Sequence, residues 1–144
     1  MTLSSHRQIE NLIGRYAELV DDGDFAGVGE LFATATFHGS GSSFTGADAL
    51  TGMLHDQVRL YPNGTPLTRH VTTNLIVEVD EEAGTAQARS ALTIFQATPE
   101  LPLQPIAVGR YADEFRRLDG AWRFSSRRVS FQLAGDLSHH LLKR

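Results

Sequence analysis

Three side chains of the 144-residue chain have the chemistry to move a proton together: His70, Asp21 and Tyr16. A histidine titrates near neutral pH and can both remove and return a proton. Loss of water next to a carbonyl needs both acts, a base for the carbon acid and an acid for the departing hydroxyl. A carboxylate beside an imidazole fixes its tautomer and stabilises its charged form. A phenol can donate to an oxygen that gains charge as an enolate forms. Each residue also has a plainer reading. His70 shares a strand face with Thr72 and Asn74, which is either a polar lining or a solvent face. Asp21 stands with Asp22 and Asp24 at a helix end, where a solvated turn would suffice. Tyr16 falls in an apolar stripe and could be a core aromatic.

The elements that must position these groups are readable from spacing. Ser5 and Gln8 have the form of a capping box. Ile9, Leu12, Ile13, Tyr16, Ala17 and Val20 then follow helical spacing, with Asp21 at the margin of the stripe. Gly23 suits the end of this helix and Asp24 the N-cap of the next. Phe25, Val28, Leu31 and Phe32 give the second helix its apolar face. Thr36–His38 reads as a short strand and Gly39–Ser43 as a flexible loop. Thr45 and Asp48 repeat the capping pattern. Ala47, Leu50, Leu54, Val58 and Tyr61 make a third helix, stopped by Pro62-Asn63-Gly64.

From Thr68 the period becomes two. Residues 68–79 read as one strand, with Val71, Thr73, Leu75, Val77 and Val79 on one face and His70, Thr72, Asn74, Ile76 and Glu78 on the other. Further strands are expected over 85–97, 106–118 and 122–131, with Asp119-Gly120 as a hairpin turn. Pro99, Pro102 and Pro105 are expected to mark a loop. The tail from 134 to 144 reads as a frayed helix or a lid. The order gives an α+β fold: three N-terminal helices on one side of a strongly curved, mainly antiparallel sheet. A sheet curved over a helix leaves a cone-shaped cavity suited to an apolar small molecule. Residues 1–133 form one domain in this reading, followed by the tail.

Composition narrows the function classes. An apolar fraction of 41% and a charged fraction of 21% are those of a globular protein. The formal net charge of -4 argues against nucleic acid or an anionic membrane as partner. The absence of cysteine removes disulfides and thiolate metal sites. No apolar run reaches the ~20 residues that span a bilayer, and a cytoplasmic location is the default expectation. His139 and His140 invite a metal reading, but no metal is expected. His38 could reach a pocket mouth, and His55 is expected at the surface.

Four stretches carry a resemblance to a known family: Arg15–Phe25, Arg69–Asn74, Gly109–Phe115 and Asp119–Phe124. Together they resemble the SnoaL-like branch of the nuclear transport factor 2-like superfamily, over roughly residues 5–131, and imply its cone-shaped α+β barrel. Within it the pattern looks most like scytalone dehydratase and the bile-acid dehydratases. The resemblance implies that Asp21 orients His70 and that Tyr16 binds a substrate carbonyl. An arginine near Arg127 or Arg128 also has a counterpart there. Their strand parities are opposite, so only one of the two can point inward. Where those enzymes carry a second histidine or an aspartate on the next strand, this chain reads Ala88-Arg89-Ser90-Ala91-Leu92.

The expectation is therefore a lyase or isomerase of dehydratase or polyketide-cyclase type, without cofactor, acting on a hydrophobic cyclic ketone or hydroxy-ketone. Asp21, His70 and Tyr16 are its expected catalytic residues. Phe32, Phe37, Leu54, Asn74, Leu92, Ile94, Phe115 and Arg127 are its expected pocket residues. A homodimer is implied by the resemblance. The alternative is a non-catalytic binding or oligomerising domain of the same fold, or an accessory protein like a dioxygenase small subunit.

Overall fold

The computed structural model describes residues 2–39 and 41–142. Its elements are α1 (Ser5–Asp21), α2 (Phe25–Leu31), β1 (Thr36–His38), β2 (Ser43–Thr45), α3 (Ala47–Gln57), β3 (Thr68–Asp80), β4 (Thr85–Thr98), β5 (Leu101–Leu118) and β6 (Ala121–Ala134). The strands form one sheet in the order β2-β1-β6-β5-β4-β3. All neighbours are antiparallel except β1 and β6. The sheet is curved but its edge strands β2 and β3 do not pair, so the expected barrel is an open cone.

The stripe of α1 becomes the roof of the core. Ile9, Ile13, Tyr16 and Val20 are buried, and the helix lies against β3 and β6. Its N-cap is Ser4 and not Ser5: the Ser4 hydroxyl accepts from the Arg7 amide, while Ser5 Oγ accepts from the Trp122 indole. Gln8 donates instead to the Leu3 carbonyl. At the other end, Gly23 turns the chain with φ 75°. A side chain there would place its Cβ 2.1 Å from the Gly64 carbonyl oxygen, so only glycine fits this corner. Asp24 then caps α2 by accepting from the Gly27 amide.

Other expectations shift on inspection. The Gly/Ser loop ends in β2, whose Phe44 pairs with Phe37. Thr45 does not cap α3: its hydroxyl pairs with that of Thr36, and the N-cap is Gly46, without a side-chain hydrogen bond. The helix also ends at Gln57, and Val58 is extended. Of the proline segment only Pro99 lies in a turn, and Pro102 and Pro105 belong to β5. Leu101 pairs with Thr98 and Pro105 with Phe95, in the stretch of β5 beyond the end of β6. Proline is tolerated there because that flank has no further strand to receive an amide hydrogen, and the register slips beside it.

The largest correction concerns β3. The register against β4 shifts between Thr73 and Ile76, and Asn74 takes φ 55°. This bulge reverses the parity of the strand. Thr68, His70 and Thr72 point inward before it, and Leu75, Val77 and Val79 pack on the core after it. Val71 and Thr73 therefore do not share a face with Leu75. Asn74 is exposed, which removes it from the expected pocket residues.

Candidate active site

Asp21 sits at the last residue of α1, where the helix dipole disfavours a negative charge. Strand β3 supplies the donors that compensate. The Thr68 hydroxyl donates to Asp21 Oδ1 at 2.9 Å, and the His70 amide donates to Oδ2 at 2.8 Å. His70 Nδ1 lies 2.6 Å from Oδ1. Arg69 Nε stands 4.0 Å from Oδ2 on the solvent side. The two side chains are nearly buried, 10% exposed for Asp21 and 7% for His70. The carboxylate thus holds both the backbone and the ring of His70. A carboxylate on Nδ1 makes that nitrogen the N–H and leaves Nε2 as the basic lone pair.

His70 borders a cavity of about 420 Å³. Its walls are mostly apolar: Phe37, Leu54, Leu92, Ile94 and Val129, with Leu137 and Leu141 from the tail. Asp21 also borders a surface groove with Glu18, Asp22 and Arg69, and His70 lines both this groove and the cavity. Tyr16 and Tyr111 enter the cavity from α1 and β5, their rings edge-on at 6.0 Å. Burial raises the Tyr16 phenol above its ordinary 10, although the Arg127 cation pulls the other way. Burial pushes Tyr111 up further. Both phenols stay protonated near neutrality and can donate.

Phe37, Leu54, Leu92 and Ile94 line the cavity. Phe32 and Phe115 do not line the cavity. Phe32 stacks on Phe124 and Phe115 meets it at a tilt, both with ring centroids 4.7 Å apart, and all three are core. Arg127 is the inward arginine of its pair, fully buried, but it also stays out of the cavity. Its Nε and Nη2 donate to the two Asp113 carboxylate oxygens at 2.8 and 2.9 Å. Its guanidinium lies 3.5 Å from the Tyr111 ring centroid and 4.4 Å from that of Tyr16. Arg127 thus supports the two tyrosines from behind. Arg128 is exposed on the outer face, as is Arg89, which faces Glu78. His38 bonds Ser43 and borders that outer face rather than the cavity mouth. His55 is exposed and meets the Phe25 ring.

For one residue of the cavity the sequence suggests nothing beyond a metal ligand. His140 lies in the tail, is 6% exposed, and lines the same cavity as His70. The inward positions of β4, Ser90 and Leu92, carry no acid or base. The tail has no periodicity of its own, and its backbone bonds the end of α3 and the segment after it. Among the described residues, no three His, Asp or Glu side chains converge as a metal site would need.

The profile of the SnoaL-like domain matches residues 1–128. The chain belongs to this family. Among solved structures it resembles Rv3472 of Mycobacterium tuberculosis, a protein of unknown function seen as an aspartate-to-asparagine variant. The two share 29% identity over 87% of this chain and 70% of that one, with a TM-score of 0.72. A nuclear transport factor 2-like protein of Novosphingobium aromaticivorans with a cystatin-like fold matches at 23% identity, covering 93% and 85% of the two chains, with a TM-score of 0.73. A candidate scytalone dehydratase from the same species matches at 23% identity, covering 91% and 86%, with a TM-score of 0.71. No curated protein matches the sequence. The SnoaL-like chain thus shares an open α+β cone with these structures, and no helix among its described residues is long and apolar enough to cross a membrane.

Proposed function

We propose that this SnoaL-like protein is a lyase or isomerase that transfers a proton on a hydrophobic cyclic ketone or hydroxy-ketone. The observation that carries the reading is the 2.6 Å contact of His70 Nδ1 with Asp21, made at the wall of an apolar cavity. Held this way, the free Nε2 of His70 is the base for a carbon-bound proton next to the carbonyl. The Tyr16 hydroxyl is the donor for the oxygen that becomes the enolate, and the Asp21 charge stabilises the imidazolium that forms. The apolar walls would select a cyclic hydrocarbon frame and exclude water that would otherwise compete for these hydrogen bonds. No cofactor is needed for such a step. The candidate dehydratase among the structural neighbours points to the same chemistry.

The test is hydrogen–deuterium exchange at the α-carbon of 1-tetralone in D₂O, followed by proton NMR. The reading expects exchange by the wild-type protein and none above background by His70→Ala. Binding of 1-tetralone without exchange would make the cavity a carrier site and overturn the catalytic reading.

A further inference from the structure

The tail after β6 is held to the rest of the fold by few bonds. A turn with hydrogen bonds from the His140 and Leu141 amides to the Leu137 carbonyl reverses the chain. The tail then meets the chain leaving α3 at an isolated bridge between Val58 and Leu141. On either side of that bridge, Arg59 N donates to the His140 carbonyl at 2.8 Å, and Leu142 N to the Gln57 carbonyl at 2.9 Å. The His139 carbonyl accepts from Gln96 Nε2 and the Tyr61 hydroxyl. Among the described residues, every buried apolar side chain of the core lies at or before Phe124, and the tail adds to it only the partly buried Leu137. A segment attached in this way opens at a lower free energy than the fold as a whole.

His140 is the most buried side chain of the tail, and its Nδ1 has no hydrogen-bond partner. A neutral ring tolerates one unpaired nitrogen. An imidazolium has two N–H donors to satisfy and a charge to solvate, and this site supplies neither need. Burial, and then His70 of β3, hold the ring down at about 4, against the opposite pull of Asp21 of α1. Arg59 adds a further cation on the segment paired with the tail, and Tyr16 and Tyr111 line the same cavity as uncharged phenols. Asp136 lies 4.0 Å from His139. In a detached tail the His140 ring returns to its ordinary 6.5. Between the two values the detached tail binds a proton that the docked tail does not, so falling pH favours detachment.

We propose that segment 137–142 is a latch on the cavity, released when His140 takes up a proton. Leu137, His140 and Leu141 are part of the cavity wall, so their departure opens it to solvent. The sheet and helices keep their own hydrogen bonds and core. The wall is therefore complete near neutrality and breached in mildly acid solution. This holds whether the cavity is catalytic or only carries a ligand.

Two amides report docking directly, those of Arg59 and Leu142, because their acceptors lie across the junction. Their hydrogen exchange is followed by NMR in the full chain at pH 7.5 and pH 5, corrected for the intrinsic rate. The α1 amides of Ile13 and Tyr16 serve as reference for the whole fold. Protection of the two junction amides is expected to fall roughly thirtyfold, the ratio set by ring values of about 4 docked and 6.5 detached. The reference amides are expected to stay within threefold, and in His140→Phe the junction amides should be equally protected at both pH values. A crosslink checks what the two amides report. The flanking bonds make Val58 and Leu141 a non-hydrogen-bonded pair, with Cα atoms about 4.5 Å apart, within reach of a disulfide. The chain has no cysteine of its own. Val58→Cys/Leu141→Cys should lose the fall when oxidised and regain it when reduced. A junction unprotected at pH 7.5, no fall at pH 5, or a fall shared by the reference amides would overturn the latch. So would the same fall in His140→Phe or in the oxidised crosslink. Should His140→Phe not fold, His140→Gln, likewise uncharged, takes its place under the same criteria. None of these outcomes bears on the role of His70, which the exchange of 1-tetralone tests separately.

Discussion

Asp21 holds His70 by two hydrogen bonds, one to the ring and one to the backbone amide of the same residue. The ring is thereby tied to the strand position that carries it, and its rotation is locked without help from a third residue. Asp21→Asn tests this relationship with little change in shape. The amide can donate to Nδ1 and so reverse the tautomer, and it cannot stabilise an imidazolium. Exchange of 1-tetralone is expected to fall by roughly 10²–10⁴-fold with the circular dichroism spectrum unchanged. Exchange at the wild-type rate would mean that the pair is structural.

Tyr16→Phe removes one hydroxyl and keeps the ring on which Arg127 stacks at 4.4 Å. A loss of about 10²-fold in turnover is expected, with a smaller change in KM, because the lost bond strengthens as the enolate forms. The phenol is raised above 10, chiefly by burial, so the protonated donor persists through neutral and mildly alkaline pH. The ratio of wild-type to variant rates should therefore stay flat from pH 6 to 9. A ratio that collapses within that range would show that the hydroxyl ionises there and is not the donor.

Much of the framework follows from local pattern. The stripe from Ile9 to Val20, the Gly23–Asp24 corner and the Asp119-Gly120 hairpin each obey a rule that acts within a few residues, and each stands as read. What was hidden depends on neighbours distant in sequence. Alternation alone assigns Asn74 inward, and a bulge set by pairing with β4 reverses it. Phe32 and Phe115 are apolar and inward as read, but only their stacking on Phe124 places them below the cavity. Strand parity leaves Arg127 an inward or outward choice, and the Asp113 carboxylate decides it. His140 was invisible because the tail takes its place from Gln57, Arg59 and Gln96 rather than from any period of its own.

The Asp113–Arg127 pair makes a stability prediction separate from chemistry. Both side chains are fully buried. Arg127→Met leaves the Asp113 carboxylate buried without its counter-charge and should destabilise the fold by about 3–5 kcal/mol. Adding Asp113→Leu removes that charge and should recover much of the loss, since a buried pair is often replaceable by apolar residues of similar volume. Urea unfolding of the two variants checks this. A double variant as unstable as Arg127→Met would show that the arginine acts through its stacking on Tyr16 and Tyr111 instead.

His140 gives the fold a pH dependence of defined sign. Its ring titrates at about 4 in the folded chain against an ordinary value of 6.5, because burial and His70 disfavour the charge more than Asp21 favours it. Between those two values the unfolded chain binds more protons than the folded one. Stability is therefore full above about pH 6.5 and falls as the pH drops from there to about 4, by roughly 3 kcal/mol if this group acts alone. The measurement is the urea midpoint of wild type and His140→Phe from pH 4 to 8. His70 and Asp21 face the ring and remain in the variant, so the difference between the two proteins reports His140 together with its coupling to those two groups. The phenylalanine variant should gain on the wild type progressively below pH 6.5. A constant difference across the range would mean that the tail opens to solvent and the ring is not held in the cavity.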